Sequence, residues 1–153
     1  MKNDGIYITE ISDYEIIKKI RNKILRPKQD ISSCIFSNDD KSIHLGLYKR
    51  DTLVSIISFF NKNLKGYENF NCWQFRGMAT ITDQERLGYG TKLLNASIKI
   101  VKSKGADYFW CNARESALNF YKKLNFKIIS KIFLIPISGP HYKMIFNIKN
   151  DKM

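Results

Sequence analysis

Residues 76–104 read RGMATITDQERLGYGTKLLNASIKIVKSK, and the fold turns on them. The pattern is a strand, a glycine turn and a helix. Strand character enters from about Cys72 and carries to Ile81, with Gly77 inside it. A glycine there weakens the ladder and marks a bulge or a close approach. Gly88-Tyr89-Gly90 turns into a helix over 90–104, whose Leu94, Ile98 and Val101 make an apolar stripe and whose stop is Gly105. A helix start leaves backbone N–H groups unpaired and carries partial positive charge. Glycines at 88 and 90 let a ligand come close to those groups, so the junction reads as a pyrophosphate cradle. A plain tight turn gives the same letters, and Gly-x-Gly alone does not decide between them. Two other nucleotide folds fit badly. Position 93 is Leu where a dinucleotide fingerprint has its third glycine, and Gly90 is followed by Thr91-Lys92 where a Walker loop has Lys-Ser/Thr.

Outward from this stretch the chain alternates strands and helices. Residues 6–10 alternate as a short strand, and Ser12-Asp13-Tyr14-Glu15 reads as a capping box opening a helix. That helix sets Ile16, Ile20 and Ile24 on one face, with Lys18, Lys19, Arg21 and Lys23 around it, and ends before Pro27. A polar loop over 28–41 follows, with one helical turn near Cys34. Strands at 43–48 and 53–60 flank Lys49-Arg50-Asp51-Thr52 as a hairpin. Past the central helix come a strand at 107–112 and a helix at 114–124 with Ala117, Phe120, Tyr121 and Leu124 inward. Strands at 127–135 and 142–148 close the chain. The sum is one mixed α/β domain over 1–153 with a sheet of six or seven strands.

Composition narrows the function. Lys plus Arg is 26 against 14 Asp plus Glu, a formal charge of +12, which invites an anionic partner. The lysines are scattered and no nucleic-acid-binding motif is recognisable. The longest apolar run, 53–60, is far short of the roughly 20 residues a membrane span needs. Cys34, Cys72 and Cys111 are odd in number and form no Cys-x-x-Cys pair, and His44 and His141 are the only histidines. That pattern points away from a disulfide framework and from a metal site, toward a reduced cytoplasmic protein.

Several blocks then resemble the GNAT superfamily of N-acetyltransferases. Its acetyl-CoA motif is a strand, then Gln/Arg-x-x-Gly-x-Gly/Ala, then a helix; here stand Arg76-Gly77-Met78-Ala79-Thr80 and Glu85-Arg86-Leu87-Gly88-Tyr89-Gly90-Thr91. Trp110-Cys111-Asn112-Ala113-Arg114 and Phe120-Tyr121-Lys122-Lys123-Leu124-Asn125-Phe126 are similar to the family's second block, which ends in Phe-Tyr-x-x-x-Gly-Phe. Gly139-Pro140-His141-Tyr142-Lys143-Met144, Leu25-Arg26-Pro27 and His44-Leu45-Gly46 resemble one bacterial subgroup. The departures are Glu85 for the first motif position, Asn125 for glycine, and Arg114 where many relatives have Asn. Asparagine is the residue that best replaces glycine in a left-handed turn.

The resemblance implies a mostly antiparallel sheet flanked by about four helices, and direct acetyl transfer from acetyl-CoA, without a metal, to an amine. It implies cofactor contacts from Met78, Ala79, Thr80, Arg86, Leu87, Gly88, Tyr89, Gly90, Thr91 and Asn112. Tyr121 is the implied acid for the departing thiolate, and His141 a proton relay or substrate contact. Arg26, His44 and Arg76 are candidate acceptor-pocket residues, Arg76 either holding an acidic group or pairing with Glu85. A homodimer suits so small a domain. Two competing functions are an acyl-CoA sensor without turnover and a basic nucleic-acid-binding module.

Overall fold

The computed structural model describes residues 5–81, 84–85 and 87–150. Thr82, Asp83 and Arg86 lie outside the described residues, and with Arg86 goes one expected cofactor contact. The chain divides into two compact units, Met1–Phe60 with Arg76–Ser97 and Asn61–Phe75 with Ile98–Met153.

In the first unit β1 (Ile6–Glu10) pairs antiparallel with β2 (Ile43–Lys49), and β2 with β3 (Thr52–Asn61). The next strand in order is β4 (Cys72–Thr80). Helix α1 (Tyr14–Ile24) is capped by Asp13, whose carboxylate accepts the Glu15 N–H at 3.0 Å. The expected cap, Ser12, stands one residue too early, because the helix begins at Tyr14. The buried face also differs from the expected isoleucine stripe. It centres on Ile17 and Arg21, one turn apart, with Tyr14, Ile20 and Ile24 at its margins. Ile17 packs with Ile11, Ile56 and Ala79 as the core of this unit. Arg21, expected on the solvated side, is fully buried. Two short 3₁₀ turns, Ile31–Cys34 and Asp39–Lys41, shape the loop after the helix.

In the second unit β4 pairs parallel with β5 (Tyr108–Arg114) from Cys72↔Tyr108 to Gln74↔Trp110. β5 pairs antiparallel with β8 (Gly139–Asn147) along its whole length, Tyr108↔Asn147 to Arg114↔His141. β6 (Lys127–Ile128) and β7 (Phe133–Ile135) both lie against β8. They are the two halves of the expected strand at 127–135. Ser130 Oγ accepts the Lys143 N–H at 2.8 Å, so a side chain replaces a backbone partner and the ladder breaks there. That split gives eight strands, one more than the upper expectation. The described helices longer than one 3₁₀ turn are three, not about four: α1, α2 (Tyr89–Ser103) and α3 (Leu118–Lys123). α2 continues from the first unit into the second. α3 is shorter than the expected helix because Glu115–Ala117 is a 3₁₀ turn. Its end matches the expectation for Asn125, which sits at φ 72° while Phe126 N–H reaches Tyr121 O at 3.1 Å and Asn125 N–H reaches Lys122 O at 3.0 Å. Those two bonds are a Schellman stop.

Candidate active site

The glycine turn stands where the sequence puts it. Lys92 N–H donates to Gly88 O at 3.1 Å, the first turn of α2. The N–H groups of Tyr89, Gly90 and Thr91 precede that bond and have no acceptor within the helix. Gly88 is exposed at φ +81°, and a Cβ built on it meets nothing within 4 Å. Leu87 is exposed, Tyr89 buried and Thr91 half-buried, so Tyr89 anchors the turn while the backbone around it faces open space. Glu85 is exposed.

β4 leads into that turn with an irregularity at Gly77, whose φ is +64°. An L-residue is strained at such a φ, and a Cβ would also lie 3.1 Å from Arg21 Nε and 3.3 Å from the Phe36 ring. The ladder to β5 covers Cys72–Gln74, and β4 goes on through Gly77 to Thr80. Ser55 Oγ holds this last part, donating to Ala79 O at 3.2 Å and meeting Thr80 Oγ1 at 2.9 Å. Ala79 is buried, while Met78 and Thr80 are half-buried.

Beside Gly77 the first unit holds a polar cluster. Arg21 Nη1 donates to Asp39 Oδ2 at 2.7 Å and to Cys34 O at 2.8 Å; Nη2 donates to Asp39 Oδ1 and Ser58 Oγ, both at 3.0 Å. Asp39 also accepts from the Tyr14 hydroxyl and, at 2.8 Å, from Phe36 N–H. Burial pushes the Asp39 carboxyl up, but the Arg21, Tyr14 and Phe36 hydrogen bonds outweigh it and hold it below its ordinary value. Burial, then the Asp39 hydrogen bond, pushes the Tyr14 phenol up to about 12. His44 is engaged on both nitrogens, with Ser58 Oγ 2.7 Å from Nδ1 and Asp39 O 3.0 Å from Nε2. A carbonyl only accepts, so Nε2 carries the proton and Nδ1 accepts from Ser58. Burial lowers the pKa of this ring, favouring that neutral form. Arg26 Nη1 donates to Ser33 O at 2.6 Å. Arg76 lies with its guanidinium 4.8 Å from the Phe60 ring and 5.3 Å from Phe36, and forms no ion pair with Glu85.

The second unit carries the other candidates. Tyr121 is buried among Phe75, Phe120 and Phe126, ring centroids 5.7, 5.1 and 5.7 Å away. Burial, with the neighbouring Cys111, pushes its phenol well above 10.0, so it keeps its proton at any working pH. His141 is buried with Nδ1 2.8 Å from Gly139 O, which fixes the proton on Nδ1 and leaves Nε2 as the accepting nitrogen of the neutral ring. Asn112 Oδ1 accepts from Lys143 Nζ at 3.2 Å, and that ammonium stands 5.2 Å from the Trp110 ring and 5.1 Å from Phe133. Burial lowers the Lys143 pKa. All three cysteines are free and buried.

The model of the GNAT acetyltransferase family matches residues 8–126. The chain belongs to the GNAT acetyltransferase family. A Bacillus subtilis (strain 168) protein described as the uncharacterized N-acetyltransferase YitI is 32% identical over 136 residues, 88% of this chain and 91% of that one. Among solved structures, FeeM, an N-acyl amino acid synthase from uncultured soil microbes, superposes with a TM-score of 0.79 at 12% identity, covering 95% of this chain and 92% of that one. An aminoglycoside 6'-N-acetyltransferase complexed with coenzyme A gives 0.70 at 16% identity, covering 93% and 97%. At such identities the two structures speak for the fold.

The GNAT acetyltransferase family uses acetyl-CoA, and the backbone at the start of α2 fits that group. The Cβ position of Gly88 is open, and three helix N–H groups stand ready for a diphosphate. Among the described residues no helix is long and apolar enough to cross a membrane. The sequence reading of the acetyltransferase missed Tyr14, Asp39 and Ser58, the partners of Arg21. A signal was present: Arg21 follows Ile17 by four residues, on the face of α1 that the core needs.

Proposed function

We propose that the chain moves an acetyl group from acetyl-CoA to an amine, and that residues 1–153 act as one acetyltransferase domain. The observation that carries the proposal is the start of α2, where Gly88 leaves open space beside N–H groups that have no acceptor within the helix. A diphosphate there gains charge-assisted hydrogen bonds and the favourable end of the helix dipole. Leu87 through Thr91 form this cradle, with the Thr91 hydroxyl beside them, and Arg86 belongs to it by its place in the motif. Met78, Ala79 and Thr80, which lie beyond the ladder with β5, are the proposed contacts of the pantetheine arm. Acetyl-CoA supplies a thioester activated toward a neutral amine.

The chain's own residues then manage protons. Tyr121 Oη is the proposed proton source for the leaving sulfur, and Asn112 contributes to the cofactor site. The burial that raises this phenol would equally destabilise a thiolate formed beside it, so the usual gap between phenol and thiol is not widened. An amine of ordinary pKa, about 10.4, has to lose a proton before attack. His141 Nε2 is the proposed acceptor of that proton. Arg26 and His44 are spent on Ser33 O, Ser58 and Asp39, so their part is to shape the acceptor pocket. The three free, buried cysteines suit a reducing cytoplasm.

Tyr121→Phe tests the mechanism. Release of free CoA thiol, followed over a panel of amines, should fall about 100-fold or more, in the range for a lost general acid. Acetyl-CoA affinity should stay within about twofold, because that contact is made by the backbone at α2. Unchanged turnover removes Tyr121 from the reaction.

A further inference from the structure

Asp39 is fully used. Its oxygens accept two Arg21 nitrogens, the Tyr14 hydroxyl and the Phe36 N–H. Among the described residues the Arg76 guanidinium, in the same unit, makes no ion pair with a carboxylate. Its Nε and Nη2 are both buried, and neither has a hydrogen-bond partner among the described residues. These two nitrogens share one edge of the guanidinium plane, the edge that takes both oxygens of a carboxylate in parallel N–H···O bonds. The Phe36 and Phe60 rings pack 5.3 and 4.8 Å from the guanidinium carbon. Arg21 adds a third unmet donor, its buried Nε, and a Cβ on Gly77 would stand 3.1 Å from it.

Leaving buried charged donors unpaired costs a protein more than a buried hydrogen bond returns. Three such donors beside the left-handed Gly77 of β4 are the mark of a site completed by a ligand. We infer that Arg76 binds a carboxylate of the acceptor, so that this enzyme acetylates a small amine that also carries an acid group, of the amino-acid type. The inference rests on the acetyl-transfer reading above and adds the substrate class. Arg76 stands two residues before Met78, so the acid anchor and the backbone assigned to the acyl arm belong to one short run of β4. Phe36, whose ring lies against the group, stands on the irregular stretch between the two 3₁₀ turns.

The test pairs free α-amino acids with their carboxamides, which keep the amine and remove the charge. With acetyl-CoA saturating, wild-type kcat/KM should favour the acids at least about 100-fold. Arg76→Gln should abolish that preference, and Arg76→Lys should restore part of it, while calorimetry shows acetyl-CoA affinity unchanged in both. On the wild type a direct readout exists as well. The Arg76 Nε–H resonance should shift on titration with a preferred amino acid and stay in place with its carboxamide or with inorganic phosphate. Equal use of acids and carboxamides, or a resonance that answers phosphate and not the acids, overturns the inference while leaving acetyl transfer intact. Failure of wild-type protein to bind acetyl-CoA at all overturns the parent reading instead.

Discussion

Arg21 has five N–H donors, and its two Nη groups commit theirs to Asp39, Cys34 O and Ser58. The pair with Asp39 is a buried ion pair, strongly destabilising when one member is lost because the other stays charged and unpaired. Asp39→Asn should therefore cost about 3–5 kcal/mol in chemical denaturation. A loss under 1 kcal/mol would show that the cluster is not coupled as its geometry requires. The same cluster sets a pH profile. Asp39 is held below its ordinary 3.8, so its contribution is complete above that value and is lost as pH falls through the lower folded one. Tyr14 is raised from 10.0 to about 12, so its contribution is complete below 10.0 and is lost as pH climbs toward 12. Thermal stability should fall at both ends, and Tyr14→Phe should remove the alkaline fall and move the acid one to higher pH, since the hydroxyl helps to hold Asp39 down. An alkaline fall that persists in Tyr14→Phe would assign it to another group.

At the scale of elements, Gly77, at φ +64°, lies between Arg76 and the backbone of 78–80 in β4. Gly77→Ala adds both left-handed strain and a methyl crowding Arg21 and Phe36. It should cost about 1–3 kcal/mol from strain, plus the crowding. Gly66→Ala is the control, since its φ is +92° but a Cβ there meets nothing within 4 Å. Equal losses in the two would mean that the space around Gly77 is slack. Element types were legible in the sequence because periodicity and stops agreed: Leu94, Ile98 and Val101 with Gly105, and Asn125 as a left-handed stop. What stayed hidden depends on partners distant in the chain. The strand at 127–135 carries no punctuation at 130, and its break comes from Ser130 answering Lys143 across the ladder. Likewise the face of α1 looked like an isoleucine stripe until Asp39, 18 residues after Arg21, made a buried arginine possible.

For the whole molecule, the family was legible because several short blocks recur in one order across the chain, from Leu25-Arg26-Pro27 to the final strand. The acceptor was not. Arg76 could be named as a candidate from the sequence, but that Arg21 takes Asp39 and leaves Arg76 without an ion pair among the described residues is a fact of the fold. The charge of +12 bears on the same scale, since a basic molecule attracts a polyanionic cofactor and does so less as salt rises. The central claim is that the start of α2 holds acetyl-CoA, and calorimetric titration with acetyl-CoA tests it most directly, wild type beside Gly88→Val. Saturable 1:1 binding to the wild type, weakened by salt and abolished in a Gly88→Val protein whose circular dichroism is native, is the predicted result. Binding that survives Gly88→Val, or no wild-type binding up to millimolar acetyl-CoA, would contradict it.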